Sequence, residues 1–407
     1  MRNLLPILVL LVPTLPAAPR ATASGTVFDD ATKQPIPNAT VMVYSAGVRT
    51  GYDQFCPTCY VDCGKRATTA DDGTFTIPNL SPDLIFNLLV VHEGHSASFL
   101  NKVDPAAGPS RPAHLKPRAS PTNPAQLVRG RIADSKGLPV RDALISQQGA
   151  IFEMGRAFGD RDWIDLVAVS NTKGEFEMAY SKPIQSMILQ IAPRGMAPKL
   201  VALPTGPKTH NITATDGAVI RGRLVANGKP VPNAELGLKT HSQSSGTTFP
   251  EIRIGTNEKG EFVITNVPAG RIWDLYPTME SLAPKNLAAK LTHVATKDDG
   301  QEIDIGDIAA APAHTLKGRI QLSDGAPIPP NMRLSVFASR LPDRQTISLP
   351  PDGAFAFKGL AKGVYVISPA VKGYQPLDPE QPLELLLDGD TADYNLTLKP
   401  VAPRPAN

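Results

Sequence analysis

The sequence predicts an all-β chain of four tandem β-sandwiches, and three observations carry that expectation. First, 41 prolines and 32 glycines stand among 407 residues. That share exceeds the roughly 12% of average proteins but stays below the roughly 25–30% of low-complexity chains. Proline lacks a donor N–H and clashes with the preceding helical turn, so such a chain is a poor host for long helices. Second, 42% of the residues are hydrophobic, enough to bury cores across the two to four domains that this length suggests. Third, the chain repeats itself.

Each copy opens alike, as Gly25-Thr-Val27, Gly130-Arg-Ile132, Gly222-Arg-Leu224 and Gly318-Arg-Ile320. The glycines lie 105, 92 and 96 residues apart, one small domain each. A second element follows in three copies as Pro35-Ile-Pro-Asn-Ala39, Pro139-Val-Arg-Asp-Ala143 and Pro230-Val-Pro-Asn-Ala234, and the fourth keeps Pro327-Ile-Pro-Pro330. Proline at a strand entrance forfeits no ladder bond. A third element is Asp72-Gly73-Thr-Phe75, Lys173-Gly174-Glu-Phe176, Lys259-Gly260-Glu-Phe262 and Asp352-Gly353-Ala-Phe355. Its glycine accepts positive φ in a hairpin turn, and the residues after it alternate at period two, as a half-buried strand does. Apolar runs such as Phe86–Val91 and Val364–Ile367 complete each sheet. Short strands at regular spacing with turn signals between them indicate sandwiches.

The first copy reads G-x-V, then P-I-P-N-A-x-V, D-D-G-x-F-x-I-x-N-L and finally Glu93-Gly94-His95. That succession resembles the carboxypeptidase regulatory-like domain, and the third copy is similar. The resemblance implies a prealbumin-like (transthyretin-like), Ig-like sandwich in each copy and an accessory rather than a catalytic role. The expected organisation is a signal peptide over 1–23 and sandwiches over 24–117, 126–214, 218–309 and 315–400. The Pro-rich stretches Pro105–Pro124, Pro204–Asp216 and Ala309–His314 are expected to be semi-rigid linkers giving an extended array.

The N-terminus supports export. Arg2 precedes the apolar run Leu4–Leu15, and Ala21-Thr22-Ala23 offers a small-x-small cleavage pattern before Ser24. Pro6, Pro13 and Pro16 interrupt a run too short to span a bilayer, so the chain is expected to be secreted or periplasmic and not membrane-spanning. The net charge of +3 comes from scattered residues, which leaves nucleic-acid binding without an electrostatic footprint.

Chemistry is sparse. His92-Glu93-Gly94-His95 falls one residue short of the HExxH zinc pattern, and on a strand end the two imidazoles are expected on opposite faces. No catalytic motif and no cofactor site emerges, so the expectation is a non-enzymatic protein. All three cysteines crowd into Cys56-Pro-Thr-Cys59-Tyr-Val-Asp-Cys63, an insertion in the first copy. Three readings stay open for Cys56, Cys59 and Cys63: a local disulfide, a redox CxxC, and a metal site completed by an outside ligand. Of the pairings, Cys59–Cys63 or Cys56–Cys63 is expected to be less strained than Cys56–Cys59. Tyr52, Tyr60 and Trp163 are the candidates for stacking on a sugar, against the alternative that such rings pack at sandwich edges. Two functions follow as expectations: carbohydrate binding through loops of the first two sandwiches, or a surface array (or accessory module of an exported hydrolase system) that docks another exported protein.

Overall fold

The computed structural model describes residues 20–52, 55–119, 126–241, 249–378, 380 and 383–401. The chain is all-β, with four hydrophobic cores each enclosed by two sheets. Residues 20–49 and 59–117 form one compact unit, and residues 50–58 with the chain from Arg118 onward form the other. The helical segments are short: Met279–Leu282 and the 3-10 turn Ala283–Lys285. Among the described residues no helix is long and apolar enough to cross a membrane.

One pattern recurs in every sandwich. The opening strand pairs antiparallel with the strand after the Asp/Lys-Gly turn, so that Gly25 faces Phe75, Gly130 faces Phe176, Gly222 faces Phe262 and Gly318 faces Phe355. A Cβ on any of these four glycines would strike the facing ring. The phenylalanine therefore folds over bare backbone and helps fill the core. The turn glycines Gly73, Gly174, Gly260 and Gly353 all have φ between 71° and 75°. Each accepts an N–H from the opening strand, at Val27, Ile132, Leu224 and Ile320. The Pro-x-x-Ala element is tied down as well. Thr69 and Thr256 accept the N–H of Ala39 and Ala234 and donate to the carbonyls of Ile36 and Val231. Ser170 does the same in the second copy, between Ala143 and Val140.

The expected linkers are corrected. The stretch 105–124 holds the strand Ala113–Leu115, 204–216 holds Thr209–Thr213, and 309–314 is taken up by the ends of Glu302–Pro312 and His314–Leu322. The first three of those strands close a sandwich by pairing parallel with its opening strand, as Thr391–Pro400 does in the fourth. A parallel partner requires a long crossover, and the prolines among the described residues mark that route rather than a spacer. Within the second unit neighbouring sandwiches also touch. Leu200 packs on the third core, Met279 packs into the fourth, and the Asn266 amide donates to the Gly195 carbonyl over 2.9 Å.

The expected signal peptide lies outside the described residues up to position 19. Its last three residues begin the strand Ala21–Asp29. Ala23 is buried and Ala21 faces Leu80, so a cut after Ala23 removes residues that the folded strand uses.

Candidate functional site

In the insertion, Cys56 and Cys59 form a disulfide. Of the three open readings this is the local disulfide, and it joins the pair expected to be the more strained. Cys63 retains its thiol and packs, with Tyr60, against the first core, and its N–H donates to the Tyr60 carbonyl over 3.0 Å. Core packing thus holds Cys63 in place and leaves the other two cysteines to each other.

The three ring candidates each have their own surroundings. Tyr60 lies on the first core. Residues Thr50–Thr58 belong to the second unit, where the Tyr52 carbonyl passes so close to Gly255 that no side chain fits at that position. Tyr52 is half-buried, and burial, followed by the negative charges of Glu235 and Glu280, pushes its phenol pKa up. In the same segment the Pro57 carbonyl accepts from Arg194 over 2.6 Å. Trp163 packs edge-on against Phe152, with centroids 6.1 Å apart. The Lys182 ammonium stands 5.6 Å from its ring centre.

Among the described residues, two clusters join a carboxylate to two histidines. The first contains the expected pair and corrects its geometry. The strand Leu84–Val91 ends in a turn, in which the His95 N–H donates to the His92 carbonyl over 3.2 Å. That turn brings the two Nδ1 atoms within 2.8 Å, so the rings meet instead of diverging. On its far side His95 reaches Asp29 through Nε2, 2.8 Å from Oδ2. The Gly94 N–H donates to His92 Nδ1, which makes that nitrogen the acceptor and His95 Nδ1 the donor. N–H groups of Thr32 and then the His95 ring hold the Asp29 carboxyl far below the usual range. Burial, with His95 beside it, lowers the pKa of His92.

The second cluster escaped sequence reading. It lies on the third sandwich, on strands β1 (Glu235–Thr240), β2 (Arg271–Pro277) and β3 (Thr292–Thr296). Register places Lys239, Asp274 and His293 in one row across the three strands. His241 follows just past the end of β1. Both imidazoles aim Nδ1 at the same carboxylate oxygen, Asp274 Oδ1, from 2.7 Å for His241 and 2.9 Å for His293. Lys239 Nζ stands 3.8 Å from the other oxygen. The Asp274 side chain is only 5% exposed, whereas the two imidazoles are 48% and 56% exposed. These three ligand atoms all lie within 4.8 Å of one another. One signal was available in the sequence: Asp274 is a lone charge inside the apolar run Ile-Trp-Asp-Leu-Tyr. The histidine partners, 52 residues apart in sequence, carried none.

A cleft of about 350 Å³ beside Met279 and Tyr365 holds a third notable group, Asp343. Both of its carboxylate oxygens accept the Met279 N–H at 3.1 Å, and burial raises its pKa to about 7.

No protein-family model and no curated protein matches the chain. Solved structures do. A Bacillus anthracis TIE protein is 14% identical over 89% of this chain and 68% of its own, with a TM-score of 0.21. A streptococcal ancillary pilin is 13% identical over 68% of this chain and 100% of its own, at 0.24. A minor pilin of Streptococcus agalactiae is 13% identical over 47% and 99%, at 0.25. Likeness this loose carries nothing about what the chain does.

Proposed function

We propose that the protein is an exported, non-enzymatic structural array of carboxypeptidase regulatory-like sandwiches that docks another exported protein. One observation carries this reading: the rings available for stacking on a sugar already serve the fold. Trp163 lies between Phe152 and Lys182, Tyr60 rests on the first core, and Tyr52 is half-buried beside Gly255. The motifs all four copies share are a turn and a glycine–phenylalanine pair, the first three add a hydroxyl clasp, and these specify shape. The Cys56–Cys59 disulfide suits an oxidising compartment outside the cytosol.

The test is cross-linking in the native envelope or medium, with mass spectrometry of the adducts, alongside retention on a panel of polysaccharide resins. A recurrent protein adduct with no retention is expected. Retention that is lost in Trp163→Ala would overturn the reading in favour of carbohydrate binding.

A further inference from the structure

We propose that His241, Asp274 and His293 form a binding site for a zinc-class divalent cation, with three protein ligands and one coordination position open to solvent. Two neutral imidazoles and one carboxylate are the borderline donor set that zinc takes, and three protein ligands leave its fourth position free.

The geometry is close to what coordination needs. Zinc–ligand bonds of about 2.0–2.1 Å in a tetrahedron separate the donor atoms by about 3.3 Å. The two Nδ1–Oδ1 separations are 2.7 and 2.9 Å, so the imidazoles must swing outward by roughly half an ångström. Both are about half exposed, which leaves their rings room to turn. The carboxylate is the fixed point. Asp274 stands on the strand between β1 and β3, with ladder bonds on both sides. Lys239 occupies the neighbourhood of Oδ2, which leaves Oδ1 to the imidazoles. Such an outer partner orients a metal-binding carboxylate. Lys239 itself is held by donating to the Arg340 carbonyl. When the cation enters, each imidazole gives up its Nδ1 proton to solvent and takes one at Nε2. The cation replaces two hydrogen bonds to a single oxygen.

The Asp29–His95–His92 cluster does not compete for this assignment. His95 uses opposite ring nitrogens for its two partners, so the three groups form a line and their donor atoms do not converge.

The experiment is titration of the full-length protein with Zn2+ by calorimetry and with Co2+ by absorption spectroscopy. We expect one equivalent bound, a tetrahedral or five-coordinate Co2+ spectrum, and no thiolate charge-transfer band of the kind Cys63 would produce. Outer-shell changes at metal sites typically weaken binding 10–100-fold. Loss of a ligand in His241→Ala or His293→Ala is therefore expected to weaken it by at least about 100-fold. Both side chains are exposed, so the melting profile should stay as in the parent. His92→Ala should leave the titration unchanged. Absence of binding in the parent protein, or one-equivalent binding that survives His241→Ala and His293→Ala, would overturn the assignment.

Discussion

The two histidine–carboxylate clusters use the same residue types and reach different arrangements. In the first sandwich the partners come from one tight turn and the end of the opening strand, and His95 bridges Asp29 and His92 in a line. In the third, cross-strand register sets the partners side by side, and two imidazoles converge on one oxygen. Convergence requires neighbouring strands that hold their side chains about 5 Å apart on one face. A turn of three residues supplies proximity without that parallel aim. A histidine motif in sequence is thus a weaker guide to metal chemistry than a lone buried acid in a central strand.

The sharpest way to separate the regions is to remove the support beneath each. Trp273 is fully buried, and its Nε1–H donates to Thr296 Oγ1 over 3.1 Å, tying β2 to β3 directly under the second cluster. Trp273→Ala should cost about 3–5 kcal/mol, visible as faster hydrogen exchange in the third sandwich, and Zn2+ binding should fall with it. Phe86→Ala, in the first core, should cost a similar amount yet leave Zn2+ binding intact. Loss of binding in both variants would mean that the cluster depends on more than its own sheet.

The first cluster and the separate Asp343 cleft should also respond to pH with opposite sign. In the first, His92 and Asp29 both have lowered pKa values, so the folded state holds fewer protons than the unfolded chain. Stability there is present at neutral pH. It is lost as pH falls below the ordinary histidine value of 6.5, and further below the ordinary aspartate value of 3.8. Asp343 works the other way, since its pKa rises from 3.8 to about 7. Its contribution is complete below pH 3.8 and is lost as pH rises through about 7. The corresponding limit is about 4 kcal/mol. Hydrogen exchange followed from pH 4 to 9 should show the first sandwich loosening toward acid and the Met279–Asp343 contact loosening toward base. Asp343→Asn should abolish the basic limb alone, and a basic limb that survives it would assign the effect elsewhere.

The smallest expected effect concerns charge. Lys239 orients Asp274 but also places an ammonium near the proposed cation. Lys239→Met should weaken Zn2+ binding, on the order of tenfold, because the carboxylate loses the partner that orients it. Tighter binding would show that repulsion between the ammonium and the cation matters more. Nothing comparable is expected from substitutions at Lys33 in the first sandwich, whose ion pair with Asp30 is exposed.

How much was legible follows from locality. The Gly-x-apolar openings, the Asp/Lys-Gly turns and the Pro-x-x-Ala elements could be read because each states a backbone requirement within a few residues. Positive φ at Gly73, Gly174, Gly260 and Gly353 is such a requirement. The facing of Gly25 by Phe75, and its three counterparts, follows once the hairpin is recognised. The closing strands were missed because prolines surround them and their partner lies some 80–90 residues away in sequence. Their stability comes from that partner and not from local propensity.

The sequence by itself determined the sandwiches, their number and their turns, since these rest on glycine, proline and alternation acting over short range. Tertiary structure alone decided which cysteines pair, which tyrosines and tryptophans are occupied, and that His241 and His293 meet at Asp274. The first two outcomes depend on how loop segments pack on cores built from distant strands, and the last on strand register, where a shift of one residue would turn the same side chains to the opposite face.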